Sequence, residues 1–447
     1  MSKTYAEYEH SGIEWLGDLP LHWGLPKLKW ITTKIGSGST PRGGSEVYQD
    51  DGVIFLRSQN IQFDGLDLED VAYISEDIHA DMERSAVEPG DVLLNITGAS
   101  IGRCTCVPRE FESANVNQHV CIVRPVDEVV PEYVHMVLAS KVGQYQVFSL
   151  QDGSSREGLN YAQLGGFAIP LPPLEEQRTI AAYLDRKTAQ IDTLIEKKQR
   201  LIDLLQEQRT AVINRAVTQG LDPDAPMQDS GIEWLGEVPA HWSVLALKRV
   251  VDKFIDYRGR TPTKTDEGVL LITAKNIEEG YINLEESQEF ISPEDYDEWM
   301  TRGLPEKGDV LVTTEAPLGK VAQVEDERIA LAQRIILLRV FKDKIRNDYL
   351  KYYLLSVAGQ SELLSRATGS TARGIKASKL KEIAVSVPPL EEQDRIIRRL
   401  DTVWNEIDEV IQHEQDLVAR LKELRTSLIS EVVTGKIDVR EEEAVLA

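Results

Sequence analysis

This 447-residue sequence predicts two similar α+β domains separated by two long helices, the helices pairing with each other as an antiparallel coiled coil. Three observations point there. Two short strings recur half a chain apart, two long runs lack glycine and proline, and the remainder mixes short β-like runs with turns.

The recurrence is the strongest of the three. Ser11 to Trp23 reads SGIEWLGDLPLHW, and Ser230 to Trp242 reads SGIEWLGEVPAHW, 219 positions later. Pro172 to Gln177 reads PPLEEQ and returns at Pro388 to Gln393, 216 positions later. Weaker echoes keep the same order between these anchors: Thr40-Pro41 with Thr261-Pro262, Asn60-Ile61 with Asn276-Ile277, Gly90 to Leu93 with Gly308 to Leu311, and Gln118 with Gln333. The chain is one unit written twice with different fillings.

Within each unit, the runs Leu174 to Gln219 and Leu390 to Thr434 contain no glycine or proline. Each opens on Pro-Pro and two glutamates, which suit a helix N-terminus, and stops at Gly220 or Gly435. At about 1.5 Å per residue such a helix is on the order of 65 Å long. In the second run Ile396, Val403, Val410, Leu417 and Leu424 recur every seven residues, as do Leu400, Ile407, Leu421 and Leu428, with Glu414 interrupting. The first run carries Ile180, Leu194 and Leu201 on one row and Leu184, Ile191, Leu205 and Val212 on the other. A narrow seven-residue seam is buried only against another helix, which favours pairing over two helices packed separately on their own domains.

The intervening segments alternate runs such as VIFL, DVLLNIT and HVCIVRP, or VLLIT, DVLVTT and RIILLRV, with glycine-rich turns and helical stretches near Pro131 to Phe148 and Asp348 to Ser365. The domains are therefore placed at 1–171 and 221–387, with the first long helix at 172–220 and the second helix and tail at 388–447. The composition is that of a globular chain, and no apolar run approaches the roughly 20 residues needed to cross a bilayer. The start lacks an apolar secretion signal, and three cysteines do not make a disulfide framework, so a cytoplasmic location with no membrane contact is expected.

The duplication tests each motif-like string against its counterpart. Gly98-Ala99-Ser100-Ile101-Gly102 has the form of a nucleophile elbow, but RCTCVP follows where a helix is needed, and Glu315 to Gly319 in the second unit has no serine. Cys104, Cys106, His119 and Cys121 could form a zinc set, yet the matching positions hold Val321, Gln323, Arg334 and Ile336, so core packing is the expectation. No phosphate loop, zinc-protease helix, amino-methyltransferase tetrapeptide or cofactor turn is found, and no chemistry is expected of the chain itself. Trp15, Trp23, Trp234 and Trp242 lie in the repeated string and are expected to pack where each unit begins.

What differs between the units carries side chains able to reach phosphates and base edges. In the first these are Ser39, Thr40, Arg42, Arg57, Gln59, Asn60, Thr97, Arg103, Asn117, Gln118, Ser154, Ser155, Arg156 and Asn160. In the second they are Arg258, Arg260, Lys264, Lys275, Asn276, Lys320, Arg334, Ser370, Thr371, Arg373 and Lys376. The charge opposes tight DNA binding by the chain alone. Net charge is −24, and residues 1 to 170 hold 12 basic against 24 acidic groups, residues 223 to 387 hold 22 against 27.

With the repeat, the IPLPPLEEQ-like string before each helix and the SGIEWLG…P…HW string opening each domain, the sequence resembles the specificity subunits of Type I restriction-modification systems, over its whole length. Thr40-Pro41, Gly98 to Gly102 and Asn117-Gln118 match places where that family has recurrent strings. The second unit departs at Glu315 to Gly319 and Ala332-Gln333. The resemblance implies target recognition domains, each reading one half of a split, asymmetric double-stranded DNA sequence, with the paired helices as a spacer. It implies docking of two methylation subunits and, in the full complex, two restriction subunits. No cofactor is then bound by this chain, and S-adenosylmethionine, ATP and magnesium belong to the partners. The rival expectation is a coiled-coil scaffold with two protein- or glycan-binding heads.

Overall fold

A computed structural model describes residues 4–150, 158–259, 261–369 and 373–444. The chain forms two units, one of 1–198 with 416–447 and one of 199–415, so each long helix contributes to both.

In the first unit a four-stranded antiparallel sheet runs in the order Cys104–Cys106, Val92–Asn95, Val120–Pro125, Thr32–Ser37. A second sheet pairs Val53–Leu56 in parallel with Ala114–Val116. The other unit repeats the antiparallel sheet and the parallel pair, the second sheet having four strands in the first unit and three in the other. Its antiparallel sheet is Val251–Asp256, Ile335–Val340, Val310–Thr314, Leu318–Gln323, and Val269–Ile272 lies parallel to Ala330–Leu331. The apolar runs supply the central strands, whose residues are buried on both faces because helices and the second sheet cover them. The Gly-Asp-Val-Leu echo has a structural origin: buried Asp91 accepts from Arg124 Nε at 2.7 Å, and buried Asp309 accepts from Arg339 Nη2 at 2.7 Å, which pins neighbouring strands in each unit.

The helical stretches are pairs, Pro131–Ala139 with Lys141–Ser149 and Asn347–Leu355 with Val357–Ser365. Each breaks at a buried serine that caps the next helix, Ser140 accepting from Gly143 N and Ser356 from Gly359 N. Gly143 and Gly359 are required there, because a Cβ would meet backbone atoms at 2.3 Å and 2.1 Å.

The two repeated strings meet one another. His22 Nε2 lies 2.8 Å from Glu176 Oε2, while Trp23 Nε1 donates to Glu176 Oε1 at 3.1 Å; His241 Nε2 lies 2.7 Å from Glu392 Oε2. The next residue ties the helix to its domain, Gln177 accepting from Val130 N and Gln393 from Arg346 N. Trp23 and Trp242 are buried. Trp15 and Trp234 keep an exposed face, Trp15 resting on Tyr145 and Trp234 donating to Glu362. The opening string of each unit also covers the exit of the long helix that ends in that unit. A Cβ on left-handed Gly435 would lie 2.4 Å from Pro20, and one on left-handed Gly220 would lie 3.2 Å from Trp242.

The long helices are Leu174–Gln219 and Leu390–Val433, and they pair antiparallel in each unit. In the first unit Asp192 accepts from Arg425 Nε at 2.9 Å, and Ile180 and Leu184 share a core with Ile429, Val432 and Val433. In the other, Ile202 packs with Val403, Ile407 and Ile411, and Arg209 bonds Asp408 at 3.2 Å. The seam is not the strict heptad. Ile180, Leu184, Ile396, Leu400, Val403 and Ile407 are buried and Ile191, Leu205, Val212, Leu417, Leu421 and Leu428 half-buried, but Leu194, Leu201, Val410 and Leu424 are exposed. Ile202, Ile411 and Val418 are buried instead. Along the second helix the buried positions step through 396, 400, 403, 407, 411, 414 and 418, an 11-residue rhythm. A straight helix drifts about 20° per heptad from a seven-residue repeat, so extrapolated heptad positions rotate off the seam.

Candidate nucleic-acid interface

Register brings the variable loops of each unit to one edge of its antiparallel sheet. In the first unit Cys121 pairs with Ser37 and Val120 with Asn95, so the segments after Ser37 and Asn95 and before Val120 emerge side by side. They carry Ser39, Thr40 and Arg42; Thr97 to Arg103; and Asn117 to His119. Gly38 lies so close to the Val116 carbonyl that a Cβ would sit 1.6 Å away, pressing the Thr-Pro loop onto the Asn-Gln turn. Leu159 N donates to Ile96 O at 2.7 Å, which brings Asn160 to the same edge.

A polar chain crosses this edge. Thr40 Oγ1 donates to Gln118 Oε1 at 2.5 Å, Gln118 Nε2 lies 3.1 Å from His119 Nε2, and His119 Nδ1 lies 2.5 Å from Thr97 Oγ1. With the Gln118 oxygen engaged by Thr40, its amide nitrogen donates to His119 Nε2, leaving Nδ1–H to donate to Thr97. Beside it opens a hollow of about 530 Å³ lined by Ser58, Gln59, Thr97, Gly98, Ala99, Ser100, Arg103 and His119.

The second unit builds the same edge from other residues. Asp256 pairs with Ile336 and Thr313 with Ile335, aligning the segments 257–259 and 261–264 with 315–317 and 332–334. Ile375 N donates to Thr314 O at 2.9 Å and carries Arg373 and Lys376 alongside. Thr261 Oγ1 reaches Gln333 Oε1 at 3.4 Å, the counterpart of Thr40 and Gln118. Arg334 lies 3.3 Å from Glu315 and no imidazole is present.

This frame can be set beside known proteins. A family model described as Type I restriction modification DNA specificity domain matches residues 29–203 and 240–418. The chain belongs to this family. It is 24% identical over 435 residues to a putative type I restriction enzyme MjaX specificity subunit from Methanocaldococcus jannaschii, covering 95% of this chain and 96% of the relative. It is 20% identical over 435 residues to the type I restriction enzyme EcoKI specificity subunit of Escherichia coli K12, covering 94% and 90%. Among solved structures, a chain from a type I R-M system assembly superposes with a TM-score of 0.70 at 19% identity, covering 94% of this chain and 99% of that one. An HsdS subunit from Thermoanaerobacter tengcongensis gives 0.53 at 18% identity, covering 96% and 100%. The fold is therefore that of the specificity family.

On that fold the expected contact residues divide. Ser39, Thr40, Arg42, Thr97, Arg103, Asn117, Gln118 and Asn160 gather at the first edge, and Gln59 reaches the hollow beside it; Arg258, Lys264, Arg334, Arg373 and Lys376 gather at the second. Arg42, Lys275, Arg373 and Lys376 are exposed and form no ion pair among the described residues. Lys264 and Arg258 are exposed to different degrees and held by Glu289 at 2.6 Å and Asp256 at 2.8 Å. Ser154, Ser155, Arg156, Arg260, Ser370 and Thr371 lie outside the described residues.

Four expectations are corrected. Asn60 and Asn276 are buried and locked to backbone: Asn60 accepts from Arg57 N and donates to Asp67 O and Asp70 O, and Asn276 accepts from Thr273 N and donates to Asn283 O and Ser287 O. Their recurrence reflects a turn, and no carboxamide is left for a base. Arg57 folds back to donate to Asp70 O at 2.9 Å. Lys320 pairs with Glu278 and faces a hollow bounded by the long helices.

Burial pushes the Cys106 and Cys121 thiols up to about 12 and Cys104 higher still, consistent with packing. No group of three or more metal-type ligands occurs among the described residues. No described helix is long and apolar enough to cross a membrane. Sequence reasoning missed His119 as part of the edge because it weighed the residue only with the cysteines; the signal was its place directly after Asn117-Gln118.

Proposed function

We propose that this chain is the DNA-recognition subunit of a Type I restriction-modification complex, each unit reading one half of a bipartite, asymmetric target. One observation carries this: the two units present different side chains at the same sheet edge on the same frame. Similar frames suit two similar binding events, and different tips suit two different half-sites. Two methylation subunits and, in the full complex, two restriction subunits are its partners. S-adenosylmethionine, ATP and magnesium act in those partners, and the chain itself binds none and performs no catalysis in the cytoplasm. Family membership disfavours the scaffold reading with protein- or glycan-binding heads.

The acidic balance implies that partners supply much of the phosphate neutralisation. Gel-shift affinity for DNA is expected to rise sharply on adding the methylation subunits; tight, specific binding by the lone chain at about 0.15 M salt contradicts this. Mapping methylated adenines in cells making the complex reads the target directly. Exchange of 221–387 for a homologous domain changes one half of the motif; a change in both halves, or none, removes the assignment.

A further inference from the structure

We infer that the residue directly following the anchored glutamine, His119 in one unit and Arg334 in the other, determines base specificity in its half-site. This rests on the specificity-subunit reading above and names a position that the two units place on the same backbone frame but fill differently.

The shared part holds the backbone. In both units a threonine of the Thr-Pro loop reaches the glutamine side chain, at 2.5 Å for Thr40 and Gln118 and at 3.4 Å for Thr261 and Gln333. In both, the next residue but one begins or continues a central strand, Val120 paired with Asn95 and Ile335 paired with Thr313. Position 119 or 334 is therefore delivered to the edge by a rigid element, the condition for a side chain to discriminate between bases.

The differing part is the side chain together with its support. His119 is half-buried and is oriented by Thr97, two residues beyond the strand Val92–Asn95, and by Gln118, so its ring is presented in one tautomer to a hollow lined by Ser58, Gln59, Gly98, Ala99, Ser100 and Arg103. Arg334 is exposed and is oriented by Glu315, one residue beyond Thr314. The first unit has Thr97 at the position of Glu315, each following the residue whose amide bonds the carbonyl of 119 or 334, so the carboxylate occurs only where the cation does. Residue and support thus change together. A half-exposed Arg–Glu contact is weak and opens readily, freeing a fork that matches guanine O6 and N7. The His119 imidazole, whose two nitrogens are already bonded to Gln118 and Thr97, presents its ring face and carbon edge and so discriminates by shape and contact, not by a free nitrogen.

The test maps methylated adenines in cells producing the complete complex with wild-type chain, His119→Asn, His119→Gln, Arg334→Gln or Arg334→Lys. Each His119 variant should relax one base position by about tenfold or more in the half read by residues 1–171 and leave the other half and the spacer unchanged. Arg334→Gln should relax one position in the other half, with Arg334→Lys closer to wild type. Unchanged motifs and rates for both positions overturn the inference. So does loss of methylation with a lowered unfolding temperature in His119→Asn and His119→Gln alike, which assigns the residue to folding. A wild-type complex that methylates no split motif overturns the specificity-subunit reading and this inference with it.

Discussion

The two units share their joints and differ at their tips. At the joint, His22, Trp23 and Glu176 in one unit are matched by His241, Trp242 and Glu392 in the other, with His–Glu distances of 2.8 Å and 2.7 Å. At the tip, His119 beside Thr97 stands where the other unit has Arg334 beside Glu315. The contrast teaches that a duplicated chain carries its own control: the kept His-Trp-Glu joint is explained by packing, and the exchange of His119 for Arg334 at the tip is available for recognition.

Breaking the shared frame should have the largest effect. Asn60→Leu and Asn276→Leu each remove a buried carboxamide with three or more partners, and each should cost roughly 3 to 4 kcal/mol in equilibrium unfolding of its unit. Relaxed DNA specificity at undiminished stability would instead return these residues to base reading.

A pH comparison separates the units next. Burial lowers the His135 pKa to about 4 from an ordinary 6.5, while the matching position in the second unit is Lys351. The unfolded chain therefore takes up the proton first, so the first unit loses stability as pH falls from about 6.5 to about 4, by roughly 3 kcal/mol at most. His135→Met should flatten that slope in denaturant titrations at stepped pH; an equal slope in wild type and variant contradicts the assignment.

The interhelix ion pairs sharpen the contrast at smaller scale. Arg209 is nearly buried, stacks on Trp404 at 4.3 Å and bonds both Asp408 and Glu279. Arg425 makes a more exposed contact with Asp192. Arg209→Ala should cost about 2 kcal/mol and Arg425→Ala under about 1 kcal/mol, read by hydrogen exchange in each unit. Equal losses would show that burial does not separate them. Smallest of all, Val410→Ala and Leu424→Ala should change stability by no more than about 0.5 kcal/mol, against about 2 kcal/mol for Ile411→Ala. A reversed order in thermal unfolding would restore the heptad seam.

Much of the architecture was legible in the chain. The paired strings revealed two units, and Leu174–Gln219 and Leu390–Val433 could be read because helix length follows from local chemistry: a Pro-Pro entry, glutamates in the first turn, and glycine after the exit. The edge was half legible. Thr40, Gln118 and Arg334 were reachable from residue type and recurrence, whereas Asn60, Asn276 and Lys320 have the right chemistry for DNA but spend it on backbone or on Glu278.

The sequence by itself determined that there are two like units, where the long helices begin and end, and which loops vary, because repeats, caps and turn residues act over a few neighbouring positions. Only the tertiary structure decided which face of each helix is buried, which asparagines are spent inside, and that His119 stands among the variable loops. Those outcomes depend on strand register and on accumulated helical twist. Small angular increments summed over many residues, and pairings between segments far apart in the chain, leave no mark on any single residue.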